Sequence, residues 1–280
     1  MKYIKLTFEI PDESQELLIA ELMDMDFYGF EQFDGKLIAY VESSRFNDSN
    51  RELIEKLMVV LPGAVFIEET DVEEENWNES WEQTIQPQRI GRFLVKPTWS
   101  DETTVEGEIL LEIDPKMAFG TGYHATTRLM LRQFSEIDFN QKKVLDAGTG
   151  TGILAIAAIK LGAKQAVGFD IDTWSHQNAY ENALINGVEY SFEIRFGGFE
   201  QIQSYEQFDL VAANINRNVI LENIPDLVRH THPGGIICLS GLLDSDEPVL
   251  RDALQEEPVH ILDVRQEEEW ILFQLEKTLE

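Results

Sequence analysis

Val144-Leu145-Asp146-Ala147 reads as an apolar strand that runs into Gly148-Thr149-Gly150-Thr151-Gly152, and this turn opens onto Ile153-Leu154-Ala155-Ile156, the start of a helix. Three alternate glycines let a ligand approach the backbone closely. The first turn of the following helix presents N–H groups with no intrahelical partner. Ala166-Val167-Gly168-Phe169-Asp170 then reads as a second strand ending in a carboxylate. Nucleoside-binding α/β folds place an acid there to hold ribose hydroxyls. A dinucleotide fingerprint G-x-G-x-x-G needs glycine at position 153, which is Ile153; the third glycine here is Gly152. The spacing weakens a nicotinamide dinucleotide and favours a smaller nucleoside such as S-adenosylmethionine. A glycine turn serving geometry alone is the alternative, and the placement of Asp170 counts against it. Asp172 competes for the ribose, but its position before Thr173 suits a helix cap.

From about residue 89 the pattern alternates between strands and helices. Two early strands, 92–97 and 109–113, precede a helix over 126–134. Strand 142–147, helix 152–162, strand 165–170, helix 173–186 and strands 190–196 and 208–213 follow. Helix 217–231, strand 235–240, helix 245–255 and terminal strands 259–264 and 269–276 complete the series. This predicts a doubly wound α/β sheet with an antiparallel hairpin at its end. Its ligand lies outside the carboxyl ends of the strands, where the glycine turn sits. Three further segments converge on that edge: Asp114 to Arg128, the strand Asp209 to Asn214 with Ile215-Asn216, and Pro233-Gly234-Gly235 with Ser240-Gly241.

Residues 1–70 form a different pattern, β-α-β-β-α-β, which is the ferredoxin-like α+β arrangement. Tyr3 to Ile10 alternates, and Leu17, Leu18, Leu22 and Met25 recur at helical spacing. Asp34-Gly35 marks a hairpin. Leu53, Ile54, Leu57 and Met58 give a second helix its inner face. Residues 71–88 are an acidic connector read as a helix. Trp77 and Trp81, four apart, lie on one of its faces and pack it onto a domain. Residues 89–280 are the α/β domain.

The chain of 280 residues carries 52 acids against 22 bases, a net charge of −30. Such a surface repels phosphate backbones and excludes nucleic acid as the expected substrate, while it attracts a basic protein. Acidity as a solubility device remains the alternative. Cys238 is the one cysteine and lies in an apolar run, so it reads as a core residue in a reducing compartment. No long apolar segment is present, and Met1-Lys2-Tyr3-Ile4-Lys5 turns polar too early for a signal peptide. The chain is expected in the cytoplasm, off the membrane, and with no metal site.

The glycine turn, the acid ending the second strand and Pro233-Gly234-Gly235 together resemble class I S-adenosylmethionine-dependent methyltransferases, a Rossmann-like fold. Phe119-Gly120-Thr121-Gly122-x-His124-x-Thr126-Thr127 and Asn214-Ile215 resemble a narrower group, the PrmA family, which methylates amino groups of ribosomal protein L-eleven, a basic stalk protein of the large subunit. The sequence has Ala125 where that family usually has proline, and Thr149 and Thr151 where cysteine and serine are common. The resemblance implies that Thr127, Gly148, Gly150, Asp170 and Asn214 contact S-adenosylmethionine, and that residues 1–70 recognise the substrate. Asn214 is also the expected residue at the point of transfer. A capping role is the alternative for Thr127 and for Asn214, and His124 reads as a hydrogen-bonding strut before a general base. An amine acceptor at pKa ~10.4 costs roughly 4–5 kcal/mol to deprotonate at neutral pH, so the reactive pocket is expected to be apolar or amide-lined.

Asp170→Ala is expected to weaken S-adenosylmethionine binding by about ten- to a hundredfold, the value of a charge-assisted hydrogen bond. Calorimetry checks this, and unchanged affinity would move the ribose contact to Asp172.

Overall fold

The computed structural model describes residues 2–23, 25–27, 29–73, 85–114, 120 and 122–279. The chain divides into two compact units, Met1–Ser80 and Trp81–Glu280. Trp77, Trp81 and most of the acidic connector lie outside the described residues, as do Lys116, Met117, Phe119 and Thr121.

The first unit is built from β1 (Lys2–Glu9), α1 (Asp12–Met23), β2 (Gly29–Phe33), β3 (Lys36–Glu42), α2 (Asp48–Val60) and β4 (Val65–Glu73). Its sheet runs β2-β3-β1-β4 with every neighbour antiparallel, which is the ferredoxin-like order. Gly35 turns the β2–β3 hairpin at φ +69. Asn47 caps α2, accepting from Ser49 N at 2.9 Å and Asn50 N at 3.4 Å. Leu6, Phe8, Leu18, Leu22, Leu37 and Val41 are fully buried between helices and sheet. Leu17 and Leu53, expected on inner faces, are instead exposed. A short helix on a four-stranded sheet has only one narrow line of contact, and Leu18, Leu22 and Ile54 fill it.

In the second unit, β5 (Gln88–Ile90), β6 (Phe93–Lys96) and β7 (Ile109–Glu112) form a separate three-stranded sheet. The early strands therefore stand apart from the main sheet. The series continues with α3 (Ala125–Phe134), β8 (Lys143–Ala147), α4 (Ile153–Lys160), β9 (Gln165–Asp170), α5 (Thr173–Asn186) and β10 (Phe192–Phe196). It closes with β11 (Phe208–Asn214), α6 (Arg217–Arg229), β12 (Thr231–Leu243), α7 (Glu247–Ala253), β13 (Val259–Glu267) and β14 (Trp270–Lys277). The main sheet has the order β10-β9-β8-β11-β12-β14-β13. Its first five strands are parallel, and β14 inserts antiparallel between β12 and β13. The terminal hairpin is therefore present with its last strand on the inside.

Strand alternation sends side chains to two cores. Val144, Leu210 and Ala212 face one side with α3, α4 and α5; Leu145, Ala147, Val211 and Ala213 face the other with α6. Cys238 is fully buried, and burial pushes its thiol pKa up to about 12. β12 begins earlier than its apolar run suggests. Phe208 pairs with Thr231 and Leu210 with Ile236, so the segment holding Pro233-Gly234-Gly235 bulges out of register. Among the described residues no helix is long and apolar enough to cross a membrane. The order reverses between β8 and β11, and that junction positions the site.

Candidate functional site

All three glycines of the turn after β8 adopt positive φ: +71 at Gly148, +53 at Gly150 and +81 at Gly152. A Cβ on Gly148 would overlap the Ile215 side chain, and one on Gly152 would lie 2.9 Å from Phe192 Cε1. The turn is anchored from below by Asp146, whose Oδ2 accepts from Thr149 Oγ1 at 2.7 Å and Ala155 N at 3.2 Å. Burial raises the Asp146 pKa to about 6, with nearby Asp170 adding to the effect. Gly148 N and Thr149 N both donate to Phe169 O at 3.0 Å, tying the turn to β9.

Asp170 ends β9 beside this turn. Its Oδ2 accepts from Gly150 N at 2.9 Å and its Oδ1 from Asp172 N at 3.0 Å. Two fixed N–H groups orient the carboxylate and leave lone pairs on both oxygens. Asp172 caps α5, accepting from Trp174 N at 3.3 Å and Ser175 N at 3.1 Å. The two acids thus have separate geometries.

Asn214 ends β11, with its Nδ2 donating to Thr127 Oγ1 at 3.4 Å. Its Oδ1 is buried with no hydrogen-bond partner. The cap of α6 is Asn216, which accepts from Val219 N at 3.1 Å. Thr127 is also not a cap: it is fully buried in the first turn of α3, behind Asn214. His124 caps that helix, its Nδ1 accepting from Thr126 N at 3.4 Å and lying 2.8 Å from Thr126 Oγ1. The ring packs edge-on against Trp270 at 4.6 Å. Burial, with Arg128 nearby, pushes the His124 pKa down, which favours the neutral ring that a cap acceptor requires.

A cavity of about 800 Å³ joins these groups. Gly148, Gly150, Asp170 and Asn214 line it, whereas Thr126, the neighbour of Thr127, faces it from α3. Phe169, Phe199, Ile215 and Trp270 supply apolar walls, and Asn216 and Asn223 add amides. Glu200 and Asp226 also reach it, so the lining is mixed rather than free of carboxylates away from Asn214. Sequence reasoning missed Thr126, Phe199 and Trp270. Trp270 had no local signal, since it reaches the cavity only because β14 inserts beside β12. Among the described residues, no group of three His, Cys, Asp or Glu side chains could hold a metal.

A glycine turn, an acid ending the next strand and an amide side chain, all lining one cavity, fit S-adenosylmethionine. The seven-stranded sheet with its reversed strand β14 completes the architecture of an S-adenosylmethionine-dependent methyltransferase. The model of the family described as ribosomal protein L11 methyltransferase (PrmA) matches residues 4–278, and the chain belongs to that family. It is 39% identical over 274 residues to the ribosomal protein L11 methyltransferase of Chlorobaculum parvum, covering 96% of this chain and 94% of that protein. The corresponding protein of Porphyromonas gingivalis is 36% identical over 282 residues, covering 96% of each. Among solved structures, ribosomal protein L11 methylase from Lactobacillus delbrueckii subsp. bulgaricus superposes with a TM-score of 0.62 at 32% identity, over 67% of this chain and 95% of that one.

The burial of Asp146 makes stability depend on pH. Its carboxyl holds a proton in the folded chain up to about pH 6, whereas its ordinary pKa is 3.8. Between these values the folded state binds the extra proton, so this residue's contribution falls as pH rises through the window, by about 3 kcal/mol in full. Asn at 146 retains an acceptor for Thr149 and Ala155 and carries no charge. Asp146→Asn is therefore expected to gain stability over wild type between pH 4 and 7, by denaturant melts. A pH-independent difference would remove the buried charge as its cause.

Proposed function

We propose that this chain transfers the methyl group of S-adenosylmethionine to amines of ribosomal protein L11, namely lysine side chains, the α-amine or both. Family membership supports the acceptor. The observation that carries the chemistry is the unpartnered Oδ1 of Asn214, a side chain that lines the same cavity as Gly148, Gly150 and Asp170. S-adenosylmethionine supplies an activated methyl on a sulfonium, so the protein contributes binding, orientation and exclusion of water.

In this reading Gly148 and Gly150 allow close backbone approach, and Asp170 accepts from the ribose hydroxyls. Thr127 acts through Asn214, whose amide it holds. The Asn214 oxygen accepts a hydrogen bond from the incoming amine and turns its lone pair toward the methyl group. An amide does this without stabilising the ammonium form, whereas a carboxylate would stabilise it. His124 is a strut that fixes the start of α3. Residues 1–70 serve as the recognition domain, 71–88 as the connector and 89–280 as the catalytic domain, all in the cytoplasm. The surplus of 30 negative charges favours encounter with a basic protein.

Asn214→Ala is expected to lower kcat on L11 by about tenfold or more, the value of one buried hydrogen bond, with little change in cofactor affinity or melting temperature. Asn214→Asp is expected to be slow at neutral pH and to recover as pH rises, because the added charge raises the amine pKa. A pH–rate profile of labelled methyl transfer checks both, and an Asp variant as fast as wild type at pH 7 would remove the positioning role.

A chain shortened to residues 81–280 is expected to bind S-adenosylmethionine with affinity near that of the whole chain while methylating L11 poorly. Full activity of the shortened chain on intact L11 would remove the recognition role from the first unit.

A further inference from the structure

α5 carries Asn178, Asn182 and Asn186 at i, i+4 and i+8, on one face of the helix. Four residues of helix rise about 6.0 Å, and two residues of strand rise about 6.6 Å. Successive asparagines can therefore meet alternate backbone units of a strand laid alongside. They do so at the free edge of β7. Asn186 Oδ1 accepts from Glu112 N at 3.1 Å and its Nδ2 donates to Glu112 O at 2.7 Å. Asn182 Oδ1 accepts from Asp114 N at 3.0 Å, and Asn178 Nδ2 donates to Asp114 O at 2.8 Å. Side-chain amides thus replace a neighbouring strand.

Asn182 makes one bond that Asn186 does not. Its Nδ2 donates at 2.9 Å to Thr151 O, within the glycine turn. Thr151 in turn donates from Oγ1 to Gly120 O at 2.6 Å. Asn182 and Thr151 are both fully buried, and a Cβ on Gly120 would lie 2.9 Å from Thr151 Oγ1. Asp114 and Gly120 are therefore fastened to the same residue, one through Asn182 and the other directly. Gly150, next to Thr151, lines the cavity and donates to Asp170.

We infer that Asn182 is a positioning residue for the cofactor site: through the Thr151 carbonyl it fixes the glycine-turn wall of the cavity relative to Asp114, while the Thr151 hydroxyl ties the same wall to Gly120. The inference rests on S-adenosylmethionine binding at that wall. It does not depend on the acceptor, so a failure to methylate L11 would leave it standing.

The test compares the full-length variants Asn182→Leu, Thr151→Val and Asn186→Leu by calorimetry with S-adenosylmethionine and by thermal melting. Asn186→Leu strips the same ladder chemistry from β7 without touching the turn. Thr151→Val is isosteric and keeps the fold even where Asn182→Leu does not. Asn182→Leu and Thr151→Val are expected to weaken cofactor binding about tenfold or more. Asn186→Leu is expected to lower the melting temperature while leaving cofactor affinity within about twofold. Cofactor affinity unchanged in Asn182→Leu, or in the milder Asn182→Ser where the first does not fold, would overturn the inference. So would Asn186→Leu weakening binding as much as the other two, since the ladder would then be general scaffolding.

Discussion

Ile215 occupies a gap that exists only because two residues on neighbouring strand ends lack side chains. A Cβ on Gly148 would overlap its side chain, and a Cβ on Gly241 would overlap its backbone carbonyl. Gly148 follows β8 and Gly241 lies within β12, with β11 between them in the sheet. The β11–α6 turn is therefore gripped on both flanks, and the residue just before it is Asn214. The backbone that carries the amide cannot shift without moving Ile215 out of this gap. Gly148, which also lines the cavity, thus admits the turn that carries the amide.

Charge is arranged with the same economy. The chain carries −30 overall, yet Asn214 donates to the uncharged Thr127 and is followed by the apolar Ile215. Carboxylates in the cavity are kept to defined partners, as with Asp170 on Gly150 N and Glu200 on Gly198 N. Backbone N–H groups favour the ionised form of Glu200 and hold its pKa below the ordinary carboxylate range. An amine acceptor needs the opposite environment at the moment of transfer. In the proposed reading, a long-range field that attracts a basic protein and a local amide that spares the neutral amine are compatible, because Coulomb terms fall with distance and screening.

The sheet, its two cores and the glycine turn were legible in the sequence because each depends on local pattern. Alternation in Val144 to Ala147, helical spacing in Ile153 to Lys160 and the cap at Asp172 need no knowledge of distant residues. What was not legible depends on non-local pairing. Trp270 joins the cavity only through the insertion of β14 between β12 and β13. The asparagine stripe on α5 gains its bonds only where β7 lies beside it. Asn214 and Asn216 stand two apart and either could have capped α6. Strand register settles the matter: Asn214 still pairs with Ser240 in β12, which leaves Asn216 at the start of the helix. Thr126 and Thr127 divide in the same way, since adjacent helical positions differ by about 100° and face different surroundings.

Two buried groups that weaken the fold lie at the same sheet edge. Asp146 keeps a carboxylate where burial disfavours charge, and its Oδ1 has no partner. Asn214 keeps an acceptor without a donor, an arrangement that costs roughly 1–3 kcal/mol. Elsewhere in the second unit Gln133 Oε1 and Glu189 Oε2 also lack partners, while Thr231 and Ser240 are buried but bonded to Leu227 O and Ile271 O. Unmet hydrogen-bonding capacity at the glycine turn and the β11 terminus is what a site needs if it is to gain its partners from a ligand. A core optimised for stability would have filled Asn214 with an apolar side chain. An amide there, at that cost, is what the proposed positioning role of Asn214 accounts for.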